Sequence, residues 1–476
     1  MGKKKAAWDR SDDTTTKTVK LPNGRKGLLY RAFKQYVRIA HSVYYRKIYF
    51  LDRENMPDNV PLMVVSDHQN SLNDALALVL AINYRSKRKI RAIARADAFN
   101  FPVFGTIFRG IGIMPAFRMM YEGIASLSNN AETFAKTTHE LLNNGTVIIY
   151  PEAGHQDKRW LGKFSYGYLR FAFEAAEQSN FEKEIFVLPT CNHYSNYFGI
   201  QEDILIKFGK PVSIQPFYEL YKIKPRTAQR EANKVVRDSV DKLILNITDL
   251  ENYPAIDFLR NTYGIKYAKD NGFDPDKLPE KLLADKQFFA TLDALKTAES
   301  AENPPEDNKV QQVYDDAAFL NKEIKELKIR DEYFDKKPSL PEILFSALIF
   351  LLLFPVFLFA VISDILVIYP PKLINRRIKD EMLHGTISLV LSVLVTIPLL
   401  NIIAFFSVWA ITGKIWITLL FLVCLPFLYI FAAYYGKYWR NWKGQIRFYK
   451  LINSEKLEKL AAVRKRIHET LDNLLK

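Results

Sequence analysis

His68 and Asp74 are the two residues of this chain whose types and spacing point most directly to chemistry. They open and close the run His68-Gln69-Asn70-Ser71-Leu72-Asn73-Asp74. An aspartate that holds one imidazole nitrogen fixes the tautomer and stabilises the cation. The other nitrogen can then take a proton from an attacking hydroxyl. The apolar run Leu62 to Val65 ahead of the histidine reads as a short buried strand. A second apolar run, Thr146 to Tyr150, leads into Tyr150-Pro151-Glu152-Ala153-Gly154, so another carboxylate leaves another strand end. Ser66 and Ser71 flank the first motif, but no Gly-x-Ser-x-Gly nucleophile elbow is present. His68 and Asp74 are also metal-ligand types, yet no third ligand is suitably placed in the sequence. No metal and no cofactor is expected.

The elements that must position these residues alternate. Strands are predicted at 61–66, 90–95, 146–150, 185–190 and 204–208, and helices at 71–83, 102–110, 129–143 and 165–180. Gly145 after Asn144 supplies the turn into the third of those strands. Such alternation predicts an α/β, layered sheet-and-helix domain over residues 55–225. Ahead of it lie a basic disordered tail, 1–24, and an amphipathic membrane-associated helix, 25–54. That helix interleaves Leu28, Phe33, Tyr36 and Tyr44 with Arg31, Lys34, Arg38 and Arg46. After it come a helical extension, 226–296, and an acidic linker and helix, 297–340. A C-terminal α-helical membrane domain, 341–436, and a basic cytoplasmic helical tail, 437–476, complete the chain.

Charge separates two classes of partner. The 476 residues carry a net charge of +15, from 67 Lys and Arg against 52 Asp and Glu. Nucleic acid and anionic lipid are the two obvious partners for such a surplus. Residues 1–50 hold 13 basic and 3 acidic side chains, and residues 437–476 hold 11 and 4. Both clusters flank apolar segments, the ordinary pattern of a cytoplasmic membrane face, so membrane lipids are expected and nucleic acid is not. Two cysteines, Cys191 and Cys424, exclude a disulfide framework or a cysteine-based zinc site. Met1 to Lys20 has no apolar stretch, so the N-terminus is expected in the cytoplasm.

Three apolar stretches set the membrane reading. Spans are predicted at 386–409 and 415–435, each long enough for a hydrocarbon core of ~30 Å. Lys372, Arg376, Arg377 and Lys379 precede the pair and a basic tail follows it, which puts both ends of this hairpin inside and Gly413 outside. With the α/β domain also inside, 343–369 must begin and end on one face. A re-entrant hairpin bent near Pro355 is therefore predicted. The expected location is an integral membrane protein with a cytoplasmic catalytic domain.

Four blocks between about residues 45 and 212 together resemble the glycerolipid acyltransferase family, the lysophosphatidate and glycerol-3-phosphate acyltransferases. The first is His68 with Asp74. Most of the family separates the pair by four residues, which here would select Asn73; the five-residue spacing resembles one branch with C-terminal apolar segments and selects Asp74. The second, Gly112 to Arg118, looks like the segment ending in a phosphate-binding arginine, so the resemblance gives Arg118 that role, with Arg109 a competitor. The third matches an aromatic-Pro-Glu-Gly-Thr-Arg pattern at Tyr150, Pro151 and Glu152. It departs at Ala153, at Gly154 where threonine is usual, and at His155 where arginine is usual. His155, Lys158 or Arg159 then supplies the cation, and Glu152 holds the acceptor's hydroxyls. The fourth, Val187-Leu188-Pro189, resembles a segment lining the acyl side of the cleft. Phe208-Gly209-Lys210-Pro211 resembles the turn that closes the domain. His193 reads as structural, since the first block already supplies a base.

The resemblance implies acyl transfer without an acyl-enzyme. The acceptor is glycerol-3-phosphate or 1-acylglycerol-3-phosphate, and the donor is a thioester of CoA or of acyl carrier protein. Two alternatives stay open: an acyltransferase for another lysolipid or an amino-acid lipid, and a non-catalytic membrane scaffold on the same domain.

Overall fold

The computed structural model describes residues 28–70, 72–83, 90–99, 108, 113–116, 130–152, 158–197, 201–302, 308–377 and 391–475. The expected helix at 102–110 and the tail 1–24 lie essentially outside them. The strands are β1 (Lys47–Leu51), β2 (Leu62–Ser66), β3 (Ile90–Arg95), β4 (Ile113–Ala116), β5 (Thr146–Ile149), β6 (Phe186–Tyr194), β7 (Asp203–Phe208) and β8 (Val212–Ser213). They form one sheet in the order β1-β7-β6-β2-β5-β3-β4, with β8 paired to β6. Pairing is parallel except where β6 meets β7 and β8.

Central strand β2 is buried on both faces, which is why it reads as an unbroken apolar run. Leu62 and Val64 face Leu78 and Ile82 of helix α2 (Leu72–Asn83). Met63 and Val65 face the opposite layer. That layer is built by α3 (Asn130–Leu142), α4 (Leu169–Gln178), α5 (Tyr218–Ile223) and α6 (Pro225–Asp241). Ala228, Ala232, Val236 and Val240 of α6 are buried in this core, so the α/β domain runs past the expected boundary at 225. Ahead of β5, Asn144 takes a left-handed φ of 54°, and a Cβ on Gly145 would meet the Glu140 carbonyl oxygen at 2.6 Å.

The amphipathic helix expected over 25–54 is shorter. Helix α1 (Leu28–Tyr44) stops, and Lys47–Leu51 becomes an edge strand parallel to β7. Ile48, Tyr49 and Phe50 suit a pleated, half-buried surface better than another helical turn. Arg46 pins the junction through two bonds to Asp203, at 2.8 and 2.9 Å.

A second unit follows: α7 (Tyr253–Asn261), α8 (Tyr263–Asp270), α9 (Leu278–Glu302), α10 (Lys309–Leu327) and the short α11 (Glu332–Asp335). Within the expected acidic linker and helix, 297–340, the helix is α10, capped at Asn308, whose side chain accepts from the Gln311 N–H at 2.9 Å. Val310, Val313, Tyr314, Ala317 and Leu320 of α10 are core residues. The core is completed by α15 (Glu455–Leu474), which lays Leu457, Leu460, Val463, Ile467 and Leu471 into it. Each such burial contributes about 1.5–3 kcal/mol. Asp472 of α15 holds Lys266 and the Tyr263 hydroxyl, and Arg464 grips Asp331 and Asp335 at 2.7–3.0 Å. Residues Glu455–Leu474 of the predicted basic tail are therefore an integral helix of this unit.

Between α11 and α15 run α12 (Leu340–Asn375), α13 (Ile397–Thr412) and α14 (Ile415–Leu451). The re-entrant hairpin expected over 343–369 is one continuous helix passing through Pro355, Pro370 and Pro371. A proline removes one backbone bond, and the remaining bonds of the helix carry it past each proline. Leu340–Ile362 and Ile415–Leu451 are long and apolar enough to cross a membrane, with 6% and 17% of their apolar windows buried inside the protein. Of the span expected at 386–409, residues 386–390 lie outside the described part. Leu391–Thr396 is π-helical and leads into α13. The foot of α12 meets α14, where Trp442 donates to the Ile343 carbonyl at 2.9 Å and Tyr435 to that of Phe350 at 3.0 Å.

Candidate active site

Parallel pairing of β2 with β5 assembles the site. Val65 stands in register with Ile149, so three residues further along both strands His68 and Glu152 emerge side by side at the carboxyl end of the sheet. Open α/β sheets bind ligands at that edge. The His68 backbone N–H donates to Glu152 Oε1 at 2.8 Å, and the His68 ring stacks on Tyr150 with centroids 4.3 Å apart. Glu152 Oε2 accepts from the Gly162 N–H, also at 2.8 Å. The carboxylate thus straps the histidine loop to the segment after the third block.

Asp74 lies in the first turn of α2 and is fully buried. Its Oδ2 meets His68 Nδ1 at 3.0 Å and accepts the N–H groups of Gln69 and Asn70 at 2.9 and 2.8 Å. Its Oδ1 accepts from the Tyr194 hydroxyl at 2.6 Å. An ionised carboxylate so placed draws the Nδ1 proton towards itself and leaves Nε2 as the basic nitrogen. Asn73, the competing position at four-residue spacing, points instead to Asn70, its amide donating at 3.2 Å. The five-residue spacing thus closes the pair on Asp74.

Three participants were not singled out from the sequence. Tyr194 ends β6, four residues beyond the predicted strand end. Burial and the Asp74 charge hold its phenol well above its usual range, so it stays a donor. Asp67, beside His68, is buried and accepts from Ser66 Oγ and the Asn192 N–H, both at 3.0 Å. Burial, then the Asp74 and Glu152 charges, push its carboxyl well above the usual range. Gly162 has no signal beyond its place ten residues after Glu152. Glu152 is itself pushed up to about 7 by burial, against the opposing N–H groups of Gly162 and His68.

Arg118, Gly154 and His155 lie outside the described residues, as does Arg109. Pro189 is buried within the sheet, in register with Val65, its carbonyl accepting from the Gly209 N–H at 2.8 Å. Arg159 was expected as a substrate cation, and the structure corrects this: it is 3% exposed and committed internally. It donates to the Tyr194 carbonyl at 2.8 Å, approaches His193 Nδ1 at 3.2 Å and lies 3.7 Å from Asp257. A planar guanidinium spent on those partners has no fork to offer a phosphate. His193 is the structural residue expected; burial and then Arg159 hold its imidazole well below the usual range, neutral and able to accept.

The arrangement can withdraw a proton from a hydroxyl brought to His68. Residues 47–193 match the acyltransferase family model. The glycerol-3-phosphate O-acyltransferase 2 of Saccharomyces cerevisiae is 26% identical over 136 residues, which are 28% of this chain and 18% of that protein. The match thus spans less than a fifth of that relative's length. A crystal structure of the 1-acyl-sn-glycerophosphate (LPA) acyltransferase of Thermotoga maritima superposes with a TM-score of 0.31 at 16% identity, covering 44% of this chain and 78% of that one. The span matched by the family holds His68, Asp74 and Glu152, and ends at His193, one residue before Tyr194.

Proposed function

We propose that this chain, whose residues 47–193 match the acyltransferase family model, is a glycerolipid acyltransferase that transfers a fatty acyl group from an acyl thioester to a hydroxyl of glycerol-3-phosphate or 1-acylglycerol-3-phosphate. The observation that carries this reading is the closed pair of His68 Nδ1 and Asp74 Oδ2, 3.0 Å apart at the carboxyl edge of the sheet. His68 Nε2 takes the acceptor's hydroxyl proton, and the oxygen attacks the thioester carbonyl carbon. The tetrahedral oxyanion collapses, the carbon–sulfur bond breaks, and the departing thiolate takes the proton back from His68. An ester and a free thiol result, with no covalent enzyme intermediate. Arg118 is the proposed phosphate ligand, by family resemblance. Glu152 keeps its role beside the acceptor, with its two oxygens already accepting backbone N–H groups.

The membrane enters the same proposal. The poorly covered apolar faces of α12 and α14 support anchoring in lipid, with the catalytic domain on the cytoplasmic face beside basic Lys437, Arg440 and Lys443. A second reading, an acceptor without a phosphate, is favoured by the internal commitment of Arg159 together with His155 in the third block. A scaffold role sits poorly with an intact His68–Asp74 pair.

The test is thiol release from acyl-CoA and from acyl carrier protein thioester by the detergent-solubilised chain, with each phosphorylated acceptor offered separately. Acceptor-dependent release that falls by ~10²-fold or more in His68→Ala is expected. Equal rates in wild type and His68→Ala, or no release with either acceptor, would overturn the assignment.

A further inference from the structure

The segment after the third block is fastened by residues from beyond the family-matched span. The Arg159 N–H donates to the Tyr253 hydroxyl at 2.8 Å, and the Arg159 carbonyl accepts from the Ile247 N–H at 2.7 Å. The Leu161 N–H donates to Asn246 Oδ1 at 2.9 Å, and the Leu161 carbonyl accepts from Arg237 at 3.3 Å. The Arg159 side chain runs over the Tyr197 ring to Asp257, which also accepts from Arg260 Nε at 2.9 Å. Burial would raise the Asp257 carboxyl, but the Arg260 and Arg159 charges outweigh it and hold it below the usual range. One residue past Leu161, the Gly162 N–H holds Glu152 Oε2, and Glu152 Oε1 holds the His68 backbone.

We propose that Tyr253 and Asp257 of α7 are positioning residues for the active site: Tyr253 holds the Arg159 N–H and Asp257 pairs with the Arg159 guanidinium, so that the segment stays in place and Gly162 keeps Glu152 in position. The helical unit is thereby part of the enzyme's site. The chain of contacts runs from α7 through Arg159 and Gly162 to Glu152 and ends at the catalytic histidine's own amide. Backbone groups carry most of it, so it transmits position and not charge. Because Glu152 is the residue assigned to the acceptor, loosening the clasp impairs acceptor binding before it impairs the His68–Asp74 pair. This role rests on the acyl-transfer reading, whereas the clasp itself does not.

Two measurements on the full-length chain in detergent separate them. In Asp257→Asn and Tyr253→Phe, amide hydrogen exchange in the 158–165 segment and at the His68 loop is expected to quicken. The acceptor KM is expected to rise about tenfold, the weight of one lost hydrogen bond or ion pair, with kcat changed less. Asp257→Glu restores both. Asp472→Asn, which loosens α8 from α15 at a distance, leaves both at wild-type values. If Asp257→Asn and Tyr253→Phe leave exchange and KM unchanged, or if Asp472→Asn moves them equally, the clasp is wrong. Quickened exchange with a wild type inactive on both acceptors would retain the clasp and reject acyl transfer to them.

Discussion

Tyr194 donates to the Asp74 oxygen that His68 leaves unused, and Asp74 Oδ2 already takes two backbone N–H groups. The carboxylate is held on both sides, so its grip on the imidazole depends on a phenol contributed by β6. Tyr194→Phe removes that donor without changing the ring's volume. The expected outcome is a loss of about tenfold in kcat at an unchanged thioester KM, read from saturating steady-state assays. Glu152 gives a prediction in pH. Its carboxyl rises from an ordinary 4.5 to about 7 on folding, so the folded state holds the proton more tightly than the unfolded chain. The stability from this group is present below pH 4.5 and is lost as pH rises through 7. Thermal melts of wild type should therefore lose stability across that window, and Glu152→Gln should remove this component. A Glu152→Gln chain whose melting temperature keeps the wild-type slope between pH 4.5 and 7 would refute the assignment.

At the scale of elements, the seam between β6 and β7 shows how closely the sheet is built. A Cβ on Gly209 would lie 3.1 Å from Leu243 Cδ1, 3.2 Å from the Pro189 carbonyl oxygen and 3.3 Å from Pro189 Cβ. Gly209→Ala should therefore lose about 1–3 kcal/mol in denaturant unfolding, through overpacking against the Leu243 methyl, the Pro189 ring and its carbonyl. The strands that carry the site were legible because a strand buried on both faces is an apolar run, as in Leu62 to Val65. The ends of elements were less legible. Tyr194 was missed because β6 continues through Cys191, Asn192 and His193, polar or small residues that are satisfied only by partners distant in sequence. The strand β1 was hidden in a basic aromatic stretch whose helical spacing holds to Tyr44 and then yields to pairing with β7. Pro355 was read as a bend because a proline removes a bond; that neighbouring apolar turns carry the helix past it is decided by surroundings the local sequence does not contain. The five-residue spacing was resolved in the sequence only by family resemblance, and in the structure it is Asp74 that reaches the His68 ring while Asn73 turns to Asn70.

Across the whole molecule, the last helix returns to the first half of the helical unit after an excursion through α12, α13 and α14. Leu460, 1% exposed, sits among Val463, Ile467 and the core residues of α10. Arg464 on the next turn is bound to Asp331 and Asp335, with only 13% of its side chain exposed. A solvated basic tail would accept a charge at position 460 at little cost. An integral helix would not, because an unpaired carboxylate buried there costs several kcal/mol, roughly half of an ordinary domain's stability. Leu460→Asp is therefore expected to unfold the helical unit, which proteolysis in detergent would register as new cleavage within α7 to α10. The α/β domain has its own core on both faces of the sheet, so it should stay protected. Since the Arg159–Leu161 segment is fastened by α7, acceptor turnover should fall together with the helical unit even though His68 and Asp74 remain folded. Full activity in a Leu460→Asp chain whose helical unit is cleaved would show that the two units act independently. Loss of activity with the α/β domain intact would establish that the catalytic edge of the sheet depends on helices that begin beyond residue 250.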